Sequence, residues 1–294
     1  MTEKASTATE PEIKRYPTEY FGFPYTDNSY RAKKARSEQY CPFTKRTCTK
    51  PRKSEPHIKV GVCSVGYKGD FLTKFTPVVI CPCRFNVDSV FDTIRDHYFG
   101  KLLDDQETVW ASEVSLGVGG SIDYVAVKKK KFGGIASFED FICIEFQAAG
   151  TTGTPWEAIQ DLKKTGKFSK ESYNYGINWA NEFAKTMMQQ VYKKGQIIEF
   201  WNKKIIFVVQ DVGLDYLRAH YDTSGLRESR DADSIFFYTY KMEWNEESCS
   251  WELKPHERVS TRTDGVRKIL AGATQEEFLT ISQFIQNVER KLIR

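Results

Sequence analysis

The sequence predicts a mixed α/β (α+β) fold, a central mixed sheet flanked by helices, preceded by a segment that folds around cysteines. Three observations predict it. Residues 121–127 and 141–147 are rich in β-branched and aromatic side chains, flank Gly133 and Gly134, and read as a hairpin. Residues 177–194 read as a helix ended by Gly195, and residues 204–209 as the buried strand that follows. A strand pair, a helix and a further strand make a mixed sheet. Five of the seven cysteines, Cys41, Cys48, Cys63, Cys81 and Cys83, crowd into a stretch with many turn formers and few long apolar runs. Such a stretch is too small and too polar to fold without a metal.

Taken in chain order, residues 1–20 are polar, without apolar periodicity, and are expected to form a mobile tail. Residues 21–95 form the four-cysteine, metal-binding and basic segment, and residues 96–294 the core with a C-terminal helix. That helix is announced by Thr274-Gln275-Glu276-Glu277, a capping box, with Phe278, Ile281, Ile285, Val288 and Leu292 at spacings of three and four. Its apolar face is expected to pack on the core, with a subunit interface as the alternative. No internal repeat is visible.

A chain of 294 residues, 40% hydrophobic, is long enough to bury a substantial core. No apolar run approaches the ~18–20 residues of a membrane helix, and the first five residues lack the layout of a secretory signal. A cytoplasmic protein with no membrane partner is expected. Reduced cytosolic thiols do not build a disulfide scaffold, so metal ligation is the leading use for clustered cysteines. Cys143 and Cys249 stand apart and read as bystanders.

The net charge of +4 is unevenly spread. Between Arg31 and Lys59 there are ten Lys or Arg residues against Glu38 and Glu55, so the rest of the chain is net acidic. Concentrated positive charge is the footprint of a polyanion partner; a solvated basic loop is the plain alternative.

Closing the hairpin at its glycines sets Asp123 opposite Glu145, roughly 5 Å apart. The period of two then puts Glu145 and Gln147 on one face of the strand and Ile142, Ile144 and Phe146 on the other. A carboxylate among apolar residues needs a charged partner, and one divalent cation would serve both acids. Mg²⁺ suits a pair of carboxylates that leaves room for water and phosphate, and it would promote phosphodiester hydrolysis. The plain alternative pairs Glu145 with a lysine of the Lys128–Lys131 run.

The Asp…Glu-x-Gln pattern resembles a variant of the PD-(D/E)XK nuclease motif, whose core is a mixed sheet flanked by helices. The resemblance implies that Asp123 and Glu145 bind the metal and that Gln147 takes the place of the usual lysine, orienting water or a phosphate oxygen. Gly120-Ser121 stands where the motif has proline. Glu113 would be a further acid of the kind some members place on a preceding helix.

The cysteine string is more specific. Cys41-Pro42-Phe43-Thr44 with Cys48, then Gly61-Val62-Cys63-Ser64, then Ile80-Cys81-Pro82-Cys83-Arg84 resembles the cysteine segment of the NotI and EagI group of prokaryotic restriction endonucleases. The resemblance implies a four-cysteine iron site held by Cys41, Cys48, Cys63 and Cys81; zinc also accepts four thiolates, and Cys83 could exchange with Cys81. Lys45, Arg46, Lys50, Arg52 and Lys53, between the ligands, are candidate DNA contacts. The expected function is a Mg²⁺-dependent type II restriction endonuclease acting on double-stranded DNA as a homodimer. The rivals are a non-catalytic DNA-binding metalloprotein and a structure-specific repair or recombination nuclease.

His57, His97, His220 and His256 are scattered without helical i, i+4 pairing, so histidine chemistry is not expected. Gly117-Val118-Gly119-Gly120 lacks the Lys-Ser/Thr of a phosphate loop and reads as a turn. Residues 150–156 form a loop that either touches the DNA backbone or simply joins strand to helix.

Overall fold

The computed structural model describes residues 15–69, 71–132, 135–271 and 280–292. Strands β1 (Arg15–Tyr20) and β2 (Phe23–Pro24) precede helix α1 (Tyr30–Ser37) and two small ladders, β3 (Tyr40–Cys41) with β4 (Arg46–Thr47) and β5 (Pro51–Arg52) with β6 (Glu55–Lys59). Strands β7 (Val62–Gly69) and β8 (Leu72–Val79) complete an antiparallel sheet of order β2-β1-β7-β8. Then come α2 (Asp88–Phe99), β9 (Gln106–Ser115), β10 (Ser121–Phe132) and β11 (Ile135–Gln147). The short β12 (Thr151–Thr152) pairs with β13 (Gly176–Ile177) across α3 (Trp156–Thr165). A π-helical stretch, Ala180–Met187, runs into α4 (Met188–Phe200). After it follow β14 (Ile205–Gln210), α5 (Asp211–His220), β15 (Arg227–Glu228), β16 (Ile235–Asn245), β17 (Ser250–Thr261), α6 (Thr263–Leu270) and α7 (Ile281–Leu292).

The expected mixed sheet has seven strands in the order β15-β17-β16-β14-β11-β10-β9. β14 runs parallel to both β11 and β16, and the remaining pairs are antiparallel. A parallel β11–β14 pair needs a crossover, which α3 and α4 supply. β14 reads Ile-Ile-Phe-Val-Val-Gln because all six of its residues are buried, as expected of a central strand covered on both faces. Alternation along the strands then divides the interior. Cys143, Ile205, Phe207, Ile235 and Phe237 face α4 and α6, whereas Ile142, Ile144, Ile206, Val208 and Phe236 face Val90 and Ile94 of α2.

The β10–β11 hairpin has the expected register at its site end, Tyr124↔Ile144 through Lys128↔Asp140, and a bulge shifts it beyond Lys128. Both strands are longer than the sequence suggests, because Lys128–Lys131 continues β10; Lys128 lies 3.7 Å from Glu139 and Lys130 3.5 Å from Asp105. Gly133 and Gly134 lie outside the described residues.

Three expectations change. Arg15–Tyr20, assigned to the tail, is a strand between β2 and β7 with Thr18, Glu19 and Tyr20 buried, since its alternation is carried by Tyr and Thr rather than aliphatic residues. The helix does not stop at Gly195. A Cβ there would come within 2.4 Å of Ile235 Cδ1, so this glycine allows close approach of α4 to β16 and is no cap. On α7, Ile281, Phe284 and Ile285 are 76%, 59% and 48% exposed, so the described part of the apolar face is not covered by the core. The capping box 274–277, Phe278 and the side chains of Val288 and Leu292 lie outside the described residues.

One buried side chain helps to join the two sheets. Buried Gln210, at the end of β14, accepts from the Val79 N–H (2.7 Å) and donates to the Pro77 carbonyl (2.6 Å), acting as a short piece of β-ladder between β8 and the seven-stranded sheet. Gln210→Leu strands two buried backbone groups and is expected to lower stability by about 1–3 kcal/mol, read as a lower denaturant midpoint with unchanged slope. A midpoint equal to that of the parent would refute this role.

Candidate active site

Asp123 and Glu145 stand side by side on β10 and β11, one position beyond the last backbone pair of the hairpin. Asp123 N–H donates to Glu145 Oε1 (3.3 Å), and Phe146 N–H donates to Asp123 Oδ2 (2.9 Å). Each carboxylate is thus fixed by the neighbouring strand's backbone. Among the described residues no hydrogen bond uses Asp123 Oδ1 or Glu145 Oε2. Both acids open on a cleft of about 670 Å³. One wall comes from the cysteine segment (Thr44, Arg46, Pro82, Cys83, Asn86) and the other from α4 (Gln190, Lys194).

Glu145 is 6% exposed, and burial, reinforced by the charge of Asp123, pushes its pKa up to about 7. The opposing influence is Lys194. This buried lysine on α4 donates to Glu145 Oε1 (2.7 Å) and to the Ser121 carbonyl (2.7 Å). The anticipated alternative partner, the Lys128–Lys131 run, is therefore not what meets Glu145. Sequence reading missed Lys194, although a signal was present: it interrupts the apolar stripe Met187, Met188, Val191, Ile198 at a spacing where a core residue is expected.

Gln147 lines the same cleft, half-buried, with its amide donating to the Ala148 carbonyl at 3.1 Å. Glu113 lines it too, exposed on strand β9 rather than on a helix, with φ of 55°. Of the basic candidates, Arg46 reaches the cleft. Lys50 donates to the Ile80 carbonyl (2.6 Å), and Arg52 pairs with Glu55 and lies over the Trp156 ring (4.6 Å), so both are held in structural contacts. Lys45 and Lys53 are exposed. The Gly117–Gly119 stretch is a 3₁₀ turn into β10, and the loop at residues 150–155 does not contribute to the cleft lining.

The five clustered cysteines converge. Cys41, Cys48, Cys63, Cys81 and Cys83, all free thiols, line one small enclosed cavity with Phe21 and Gly61. Contact with Cys83, then burial, raises the Cys41 thiol pKa, and burial raises those of Cys48 and Cys63. Among the described residues no group of three or more His, Cys, Asp or Glu side chains stands at metal-holding geometry. Cys83 lines both this cavity and the acid-bearing cleft, so the two centres share a wall. Cys143 is a buried core residue on the same strand face as Glu145, and Cys249 is exposed.

A larger cavity of about 910 Å³ lies near His97, Tyr238 and Arg258. Its Arg218 is doubly bonded to Glu257 and its Arg227 to Asp233, so its charges are largely satisfied internally. It lacks a paired-acid centre like that of the smaller cleft.

No helix among the described residues is long and apolar enough to cross a membrane. No curated protein matches the chain. A family model, restriction endonuclease NotI, matches residues 28–253, well over half of the sequence and spanning the cysteine cavity, the acid pair and Lys194. The chain belongs to the NotI restriction endonuclease family and is a site-specific deoxyribonuclease.

Proposed function

We propose that the chain is a Mg²⁺-dependent type II restriction endonuclease built on a PD-(D/E)XK-like core, with Asp123 and Glu145 as its metal-binding acids. The observation that carries this reading is the acid pair fixed by reciprocal backbone hydrogen bonds at the floor of an open cleft. The donor set fits the ion, because Mg²⁺ is held by one or two carboxylates and completes its shell with water and phosphate. Glu145, buried beside a second acid, is a group that a cation would relieve. Bound there, Mg²⁺ supplies positive charge to the phosphodiester and acidifies an attacking water.

In hydrolysis the water oxygen bonds to phosphorus, a P–O bond breaks, the water loses a proton and the departing oxygen gains one. Gln147, which lines the cleft, would orient the water or a phosphate oxygen, but an amide accepts no proton at neutral pH. The proton therefore passes to a phosphate oxygen or to solvent. Arg46, which lines the same cleft as the acids, would meet the DNA backbone.

On the chemistry of its donors the cysteine cavity is assigned a structural metal, iron or zinc, held by Cys41, Cys48, Cys63 and Cys81 with Cys83 as the spare thiol, although the thiols do not stand at metal-holding geometry. Thiols gathered without disulfides, Cys41, Cys63 and Cys81 buried and Cys48 half-buried, are the donors such a metal deprotonates and holds. Its role would be to stiffen the wall that carries Arg46. Cutting both strands of a symmetric site calls for two centres, which a two-fold dimer provides. The uncovered Ile281, Phe284 and Ile285 of α7 are available to such an interface.

Incubation of the purified chain with phage DNA tests the reading. Discrete, reproducible fragments are expected with Mg²⁺ and none with EDTA, while elemental analysis distinguishes iron from zinc. Unchanged cutting in EDTA would remove the metal assignment.

A further inference from the structure

We infer that Lys194 is a catalytic residue that contacts the scissile phosphate from the wall opposite the cysteine segment. The inference rests on the reading of Asp123 and Glu145 as the cleavage centre. A lysine ammonium has three N–H donors. Two of them are aimed, at Glu145 Oε1 and at the Ser121 carbonyl, both at 2.7 Å. Lys194 also lines the cleft, so its third N–H is the one that remains for a ligand there.

The placement is costly unless it is used. Lys194 is 7% exposed on a helix face otherwise occupied by Val191, Gly195 and Ile198, where an aliphatic residue would pack without any desolvation penalty. Helix α4 is nonetheless set so that Gln190 and Lys194, one turn apart, both face the acids. The neutral Gln147 is the neighbouring side chain on β11, so Lys194 is the cation nearest to Glu145. A phosphate entering this cleft meets two carboxylates; a fixed ammonium beside them offsets their repulsion and then the charge that builds on the non-bridging oxygens.

The test uses the full-length protein, a cognate duplex, and duplexes carrying each phosphorothioate diastereomer at the cut bond. Lys194→Gln is expected to slow single-turnover cleavage by about 10²-fold or more, the loss typical of removing one donor to developing charge. Its affinity for DNA in Ca²⁺ should stay within a few-fold of the parent. Because the ammonium would touch one non-bridging oxygen, Lys194→Gln should also change the ratio of rates for the two diastereomers, which a purely structural role would leave alone. Lys194→Arg, which keeps the charge, carries the same diastereomer test if the glutamine variant does not fold.

Parent-like cleavage by Lys194→Gln, or an unchanged diastereomer ratio in the folded variant, would overturn the inference. The two readings fail separately. If Asp123→Ala still cuts, the cleavage centre itself is misplaced; if Asp123→Ala is inactive and Lys194→Gln is not, only the role of Lys194 falls.

Discussion

Asp123→Ala is expected to lower the single-turnover cleavage rate by about 10³-fold or more while leaving DNA binding in Ca²⁺ intact. The size follows from what is lost. Asp123 contributes one of the two carboxylates at the cleft floor and accepts the Phe146 N–H that holds β11 in place beside it. Glu145→Gln should be equally inactive, but it is the less clean variant, because it also removes the acid that meets buried Lys194 at 2.7 Å. Part of its effect would therefore appear as lost stability, since breaking a buried pair from one side is destabilising. Binding should hold or tighten in both variants, because the cleft becomes less negative towards phosphate. Cleavage within tenfold of the parent by Asp123→Ala would show that the chemistry lies elsewhere.

The largest stability effect is expected at Arg84. Its guanidinium bonds to both carboxylate oxygens of Glu19 (2.9 and 3.0 Å) and to the Trp251 carbonyl (2.6 Å), and lies over the Phe43 ring (4.9 Å). Glu19 also accepts from Ser64 Oγ (2.8 Å), which is 2.7 Å from Thr18 Oγ1. Glu19 and Arg84 are 1% and 4% exposed, so neither has water to turn to. Arg84→Met leaves Glu19 charged in a closed interior and should cost about 3–5 kcal/mol. The double variant Arg84→Met/Glu19→Leu should recover most of that, because the remaining site is apolar. Urea denaturation of the parent, both single variants and the double variant measures the coupling. A loss under about 1 kcal/mol for Arg84→Met would mean that the pair contributes little.

Arg84 also shows where a short motif is read incompletely. Ile80-Cys81-Pro82-Cys83-Arg84 is read for its metal ligands and assigns the arginine no role, yet that arginine turns inward to bind Glu19 and β17. Spacing reveals which residues are near in sequence, not which way a 3₁₀ turn such as Pro82–Phe85 directs each of them. The acid pair was legible because a two-residue period and a hairpin register are local rules, and the observed Tyr124↔Ile144 pair obeys them. Lys194 was not, because it lies 49 residues beyond Glu145 and meets it only through a crossover. The same limit hid β1, whose longer pairing is with β7, far along the chain. The outward stripe of α7 could not be told from an inward one, since an amphipathic helix has the same sequence whether its apolar side meets a core or lies uncovered.

The π-helical turns of Ala180–Met187 have a consequence for how this centre could arise or be lost. Wide turns accommodate extra residues without breaking a helix, so they act as a phase adjuster for everything downstream. Each residue advances an α-helix by about 100°, so tightening that stretch to regular α-helical turns with every residue kept would swing Lys194 and Gln190 off the acids and carry Gly195 away from Ile235. A change confined to these turns, which end three residues before Gln190, would then silence the cleft without altering any group that lines it.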